Sequence, residues 1–187
     1  NSWNKFFSKP SSSDRIAERP GGGTDVEAGA LAHSKYAVLD FALFRPVINR
    51  FFQPSARVVN RAKELVARYR IEPNQLVAVN IRGTDKWKEI APPPLQNFLK
   101  WTEEALRREP SARILLVTDD SGVAEQFEAQ FLERVLRITE LPMSARPDIP
   151  VHRCLARSQR EKFAVDFLAT VQIMSSAKNL ITHTGNV

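Results

Sequence analysis

Three short apolar runs, each turning abruptly polar at its end, constrain this chain more than any other feature. Leu76 to Trp87 reads LVAVNIRGTDKW, Ile114 to Asp120 reads ILLVTDD, and Asn179 to Val187 reads NLITHTGNV. Short runs rich in Val, Ile and Leu fit strands buried on both faces. Between them the pattern switches to a helical period. Val58, Val59, Ala62, Leu65, Val66 and Tyr69 recur at i, i+1, i+4, i+7, i+8 and i+11, which is one helix face. Leu95, Phe98, Leu99, Ala105 and Leu106 form a second such face, after Pro92 to Pro94. Strands alternating with helices predict an α/β fold: a Rossmann-like, mostly parallel sheet with flanking helices. In such sheets ligands bind in the crevice at the carboxyl ends of the strands. Three strands that turn polar at the same end therefore point to one shared site.

The remaining elements follow from turn and cap signals. Ser121 is the expected N-cap of a helix running to about Glu133, with Val123, Phe127 and Phe131 inward. A short strand over Val135 to Ile138 follows. Glu140 to Arg157 holds three prolines and little periodicity and reads as a loop. Ser158 and Glu161 form an S-x-x-E capping box opening a helix that buries Phe163, Ala164, Phe167, Leu168, Val171 and Met174. Upstream, Pro46 permits a helix to begin there but not to run through it from far before. Residues 1–33, rich in Ser, Pro and Gly, read as a flexible linker or the remnant of an N-terminal region. Residues 34–187 read as the folded domain. A start at Asn1 and an end just past an apparent core strand suggest a piece of a longer protein.

Composition narrows the class. With 43% hydrophobic and 26% charged residues the chain is of the ordinary globular kind, and no apolar run reaches the roughly 18–20 residues of a membrane span. The single Cys154 rules out an intrachain disulfide. The net charge of +6 favours polyanionic partners. No nucleic-acid-binding motif accompanies it, so a basic nucleic-acid-binding domain is the least favoured reading and no nucleic acid is expected. Arg57, Arg61, Lys63, Arg68 and Arg70 fall largely on the polar face of one helix and read as solvated.

Arg82 leads the candidate site residues. Its guanidinium is always charged and offers a planar fork of donors suited to a diphosphate, although it could equally be a structural partner of Asp85 or Asp119. Gly83 allows close backbone approach or a turn. Lys86 is either a second positive charge for the site or a surface lysine, Asp85 an orienter of Arg82 or of the loop, and Glu89 either a general base toward a hydroxyl or a solvated loop residue. Thr118, Asp119 and Asp120 end the second strand, where one can cap the next helix. Their adjacent carboxylates raise Mg²⁺ binding but do not require it. Asp166 lies at the edge of an apolar stripe, as a boundary residue or a reader of base donors. Thr184, Gly185 and Asn186 form a polar turn whose N–H groups can cradle an anion. His33, His152 and His183 lack metal-ligand spacing, and no nucleophile elbow is present.

Read together, NIRGTDK (80–86), VTDD (117–120) and DFLATVQIMSSAKNLITHTGNV (166–187) resemble the fucosyltransferase superfamily of α1,6-fucosyltransferases and protein O-fucosyltransferases. That family carries an H-x-R-x-x-D-K-like motif after one strand, a T-D-D-like motif after the next, and an acidic helix followed by a T/S-rich turn. LFRP (43–46) is also similar to the α1,6 group, and the likeness covers roughly residues 40–187.

The resemblance implies the C-terminal, donor-binding half of a GT-B fold and inverting transfer of fucose from GDP-fucose to a glycan or protein hydroxyl. It implies no cofactor and no metal. By position, Arg82 would stabilise the diphosphate leaving group. Asn80, Gly83, Asp85 and Lys86 would complete the first donor loop, and Asp119 and Asp120 would support the ribose side. Asp166 would contact guanine, and Thr184 and Gly185, with Asn186, would cradle phosphate. A eukaryotic member would work in the Golgi or ER lumen or at its membrane. Three positions depart from the pattern: Asn80 replaces His, Gly83 replaces a second Arg, and Ile90 replaces a proposed catalytic carboxylate. Gly83 and Ile90, with an acceptor domain missing or reduced to about the first 50 residues, motivate the competing reading of a nucleotide-sugar-binding module without turnover.

Overall fold

The computed structural model describes residues 41–83, 93–144 and 149–182. The chain divides into two compact units, one formed essentially by residues 1–56 and the other by 57–185. The boundary expected between 33 and 34 lies outside the described residues.

Within the first unit, α1 spans Phe41–Phe51. It contains Pro46, where a helix start was expected, so the helix begins five residues earlier than the proline signal implies. Proline has no N–H, and the helix carries it by forgoing the bond to the carbonyl four residues back.

The second unit runs in the order α2 (Ala56–Tyr69), β1 (Leu76–Ile81), α3 (Leu95–Arg108), β2 (Arg113–Thr118), α4 (Ser121–Phe131), β3 (Val135–Leu136), α5 (Val151–Cys154), α6 (Arg157–Met174) and β4 (Asn179–Thr182). The four strands pair in parallel in the order β3-β2-β1-β4. This bears out the expected α/β class with a parallel sheet and flanking helices.

Alternation along the strands sorts the core into two layers. Leu76 and Ala78 of β1 and Leu115 and Val117 of β2 pack with Val58, Ala62 and Leu65 of α2 and Ala169, Ile173 and Met174 of α6. Val77, Val79, Ile81, Ile114 and Leu116 point the other way, onto Phe98, Ala105 and Leu106 of α3 and Ala124, Phe127 and Phe131 of α4. The helical stripes read from α2 and α3 are thus the buried ones. Helices α3 and α4 carry the chain outward from β1 to β3 on one face. Helix α6 then returns it across the opposite face to β4. A right-handed crossover requires that change of face once the direction of strand addition reverses.

Local ends differ from expectation in instructive ways. Asp120, not Ser121, caps α4: its Oδ1 accepts the N–H groups of Gly122 (2.8 Å) and Val123 (3.4 Å). Helix α4 stops at Phe131 and a 3-10 turn over Leu132–Arg134 follows. Strand β3 has only two residues, Val135 and Leu136, and the chain turns after Ile138, where the N–H of Leu141 bonds back to the Ile138 carbonyl. The expected loop 140–157 contains the short α5. The capping box at Ser158 and Glu161 does not form. Helix α6 starts one residue before Ser158, the Ala156 N–H donates to Gln159 Oε1 (3.0 Å), and Glu161 pairs with Arg57 instead. At the end of α2, Arg70 takes the left-handed conformation (φ 50°), and the Ile71 N–H closes on the Val66 carbonyl (2.9 Å).

Candidate functional site

Because β1, β2 and β4 are parallel neighbours, their polar carboxyl ends share one edge of the sheet. Ile81 lies opposite Thr118, and Asn80 opposite Thr182. The strand order reverses between β1 and β4, since chain connections leave β1 in one direction and return to its other side. Crevices at such reversals are where α/β sheets take ligands. Asn80 spans this reversal, its Nδ2 donating to Thr182 Oγ1 at 3.2 Å.

Arg82 is the first residue beyond β1 and its side chain is 36% exposed. Its Nε lies 3.9 Å from Asp119 Oδ2, too long for a hydrogen bond but within ion-pair range. The other carboxylate oxygen, Asp119 Oδ1, accepts the backbone N–H of Gly83 at 2.7 Å. One aspartate therefore fixes the backbone just after Arg82 and faces its guanidinium. The arrangement realises the Arg82–Asp119 pairing weighed from the sequence, while leaving a third of the arginine side chain at the surface.

Gly83 has a specific packing reason. A Cβ at this position would stand 2.8 Å from Asp120 Oδ2 and 2.9 Å from Asp120 Cβ. Its φ is not in the left-handed region, so close approach, not backbone conformation, demands glycine. The approaching group is the loop after β2. The departure at Gly83 is thus tied to Asp120, which is itself held by capping α4 and by an N–H bond to Thr118 Oγ1 (3.2 Å).

Ser144, which the sequence did not single out, closes this corner. Its N–H donates to the Asp119 carbonyl (2.7 Å), and its carbonyl accepts the Ser121 N–H (3.2 Å), so it runs parallel to Asp120 like a strand residue. It is buried. A serine in a proline-rich stretch carries no signal of this role.

Asp166 belongs to a buried ion-pair cluster. It lies on α6 with 2% of its side chain exposed. Arg61 Nε donates to its Oδ1 and Lys162 Nζ to its Oδ2, each at 2.6 Å. Both carboxylate oxygens accept from cations, which gives Asp166 an ion-pair role between α2 and α6. The same observation corrects the reading of Arg61 as a solvated residue. Arg61 also meets Glu64 (2.9 Å) and Glu140 (3.3 Å), and Glu140 in turn accepts from Arg68 and the Tyr69 hydroxyl. Burial opposes the charge on Arg61, but the hydrogen bonds it donates to Asp166 and Glu64, with the nearby carboxylates, outweigh it, and its pKa is raised.

Burial likewise opposes the charge on Glu140. The Tyr69 hydroxyl, a backbone N–H, and the Arg68 and Arg61 guanidiniums reverse that, so its carboxyl titrates below the ordinary value of 4.5. A carboxyl depressed by folding adds stability above its unfolded pKa and loses it as pH falls through the folded one. The stability lost on Glu140→Gln should therefore shrink as pH drops below about 4.5. Denaturant titrations across that range check this; a constant gap between the two proteins would exclude it.

Asp85, Lys86 and Glu89, and Thr184, Gly185 and Asn186, lie outside the described residues. Among the described residues, no group of three or more His, Cys, Asp or Glu is placed to hold a metal. No described helix is long and apolar enough to cross a membrane. Comparison with protein-family models finds no match, and comparison with curated proteins finds none either.

Proposed function

We propose that residues 57–185 are the donor-binding half of an inverting glycosyltransferase, using GDP-fucose or a related GDP-sugar. The observation that carries this reading is the position of Arg82: a part-exposed guanidinium at the carboxyl end of β1, beside the reversal of strand order, with its backbone anchored through Gly83 to Asp119. The order of motifs that resembles the fucosyltransferases supports the choice of donor.

In this mechanism the acceptor oxygen attacks the anomeric carbon as the bond to the β-phosphate breaks. The nucleoside diphosphate leaves with the electron pair. Negative charge grows on the β-phosphate, and a preorganised cation lowers that barrier. The acceptor proton passes to a base, for which Glu89 is the candidate. Asn80, Asp85 and Lys86 line the same donor loop in sequence, and Thr184, Gly185 and Asn186 supply N–H groups after β4.

A thermal-shift screen tests the donor class. GDP at about 100 times its Kd should add about 2.7 kcal/mol, a rise in Tm of at least about 5 °C for a chain of this size. UDP and ADP should give no comparable shift. Equal stabilisation by all three nucleotides, or by none, would reject a GDP-sugar site.

One observation favours a second reading, binding without turnover. With Gly83 packed beneath Asp120, the first donor loop holds one arginine where the α1,6 enzymes have two. GDP binding with no transfer to glycan or protein acceptors would select it.

A further inference from the structure

The amino end of α6 and the turn before it concentrate positive charge that the fold leaves unanswered. Arg153, Arg157 and Arg160 are exposed, and among the described residues none of their guanidiniums has a hydrogen-bond or ion-pair partner. The other charges of this stretch are matched: Glu161 pairs with Arg57 at 2.6 Å and Lys162 with Asp166 at 2.6 Å. Arg153, Arg157 and Arg160 are three cations within eight residues of a chain whose net charge is +6.

The fold brings this patch to the edge that carries Arg82. Helix α6 exits toward the start of β1, where the Lys178 N–H bonds the Leu76 carbonyl. Its opposite end, joined to the start of α2 by the Arg57–Glu161 pair, therefore lies toward the carboxyl ends of the strands. The helix dipole adds positive potential there.

We propose that this arginine patch binds an acidic saccharide chain, one bearing sulfate or carboxylate groups. Planar guanidinium forks pair bidentately with both anions. A single-stranded nucleic acid would need exposed rings for base stacking. The nearest aromatics, Phe163 and Phe167, stack on each other and are half-buried. A membrane surface would need bulky apolar side chains to insert beside the cations, and the stretch from 153 to 162 offers only Cys154, Ala156 and a half-buried Leu155. If the glycosyl-transfer reading above holds, on which this further step rests, the acidic chain is the acceptor.

The test titrates the full chain with a heparin oligosaccharide of defined length over a range of salt. The variant Arg153→Ala/Arg157→Ala/Arg160→Ala should bind at least about tenfold more weakly, with a salt slope shallower by two to three, as expected for that many lost anion contacts by analogy with phosphate neutralisation. A control of equal charge loss on α3, Lys100→Ala/Arg107→Ala/Arg108→Ala, should change affinity less than about twofold. Equal losses in both variants, no binding at low salt, or tighter patch-dependent binding of single-stranded DNA or phosphatidylserine vesicles would each overturn the proposal. The single variant Arg157→Gln, with a smaller loss in the same direction, guards against a folding artefact in the triple variant. GDP stabilisation is measured on the same samples. GDP binding without heparin binding sinks the patch and spares the donor site, and the converse sinks the donor site and spares the patch.

Discussion

Arg61→Ala should lower the unfolding free energy by about 3–5 kcal/mol, the range for removing one partner of a buried ion pair. The size follows from what is left behind. Asp166, 2% exposed, would keep only Lys162, whose own side chain is 68% exposed. Glu140 would lose one of its cations, and the clasp between α2, α6 and the segment after β3 would open. For a chain of this length such a loss lowers Tm by about 10 °C. The double variant Arg61→Met/Asp166→Leu should recover more than half of the loss, because an apolar pair of similar volume removes the orphaned charge. Thermal and denaturant melts of Arg61→Met, Asp166→Leu and the double complete the cycle. A loss below about 1 kcal/mol for Arg61→Ala would show that the pair is solvated and dispensable.

Arg82→Ala should reduce turnover of the GDP-sugar by about 10²–10³-fold, or about 2.7–4 kcal/mol of transition-state stabilisation. The effect should fall on kcat more than on donor affinity, since charge on the leaving phosphate grows as the bond breaks. Arg82→Lys keeps the charge but loses the fork, and should lie between the two. Melting and circular dichroism on the same variants separate a loss of turnover from a loss of fold. Near-wild-type turnover in Arg82→Ala would remove the residue from the mechanism and with it the main support for glycosyl transfer.

Much of the architecture was legible along the chain. The stripe from Val58 to Leu65 and the runs at 76–81 and 113–118 each obey a local period, and burial follows that period closely. Caps were less legible. Asp120 and Ser121 both have suitable side chains, and only the path of the backbone decides which precedes the first helical turn. The S-x-x-E signal failed because α6 begins at Arg157, which puts Ser158 inside the first turn, and Gln159 makes the local bond to the Ala156 N–H.

The candidate site divides the same way. That polar residues follow three apolar strands, and that Arg82 heads the first of these turns, is written in the order of residues, because a strand's period and its end are local properties. Three relations depend instead on the strand order β3-β2-β1-β4: Asp119 under Gly83, the space Asp120 denies to a side chain at 83, and the return of Ser144 to the sheet. The commitment of Asp166 to Arg61, 105 residues away, is of the same kind. Hydrophobic patterning records the buried face in α2, β1 and β2 but not in α6. There Val165, Asp166, Ala169, Thr170 and Ile173 are buried, while Phe163, Ala164, Phe167, Leu168 and Val171, expected inside, are only part-buried. Patterning does not record which distant element covers a face, and the partners of buried charges are chosen there.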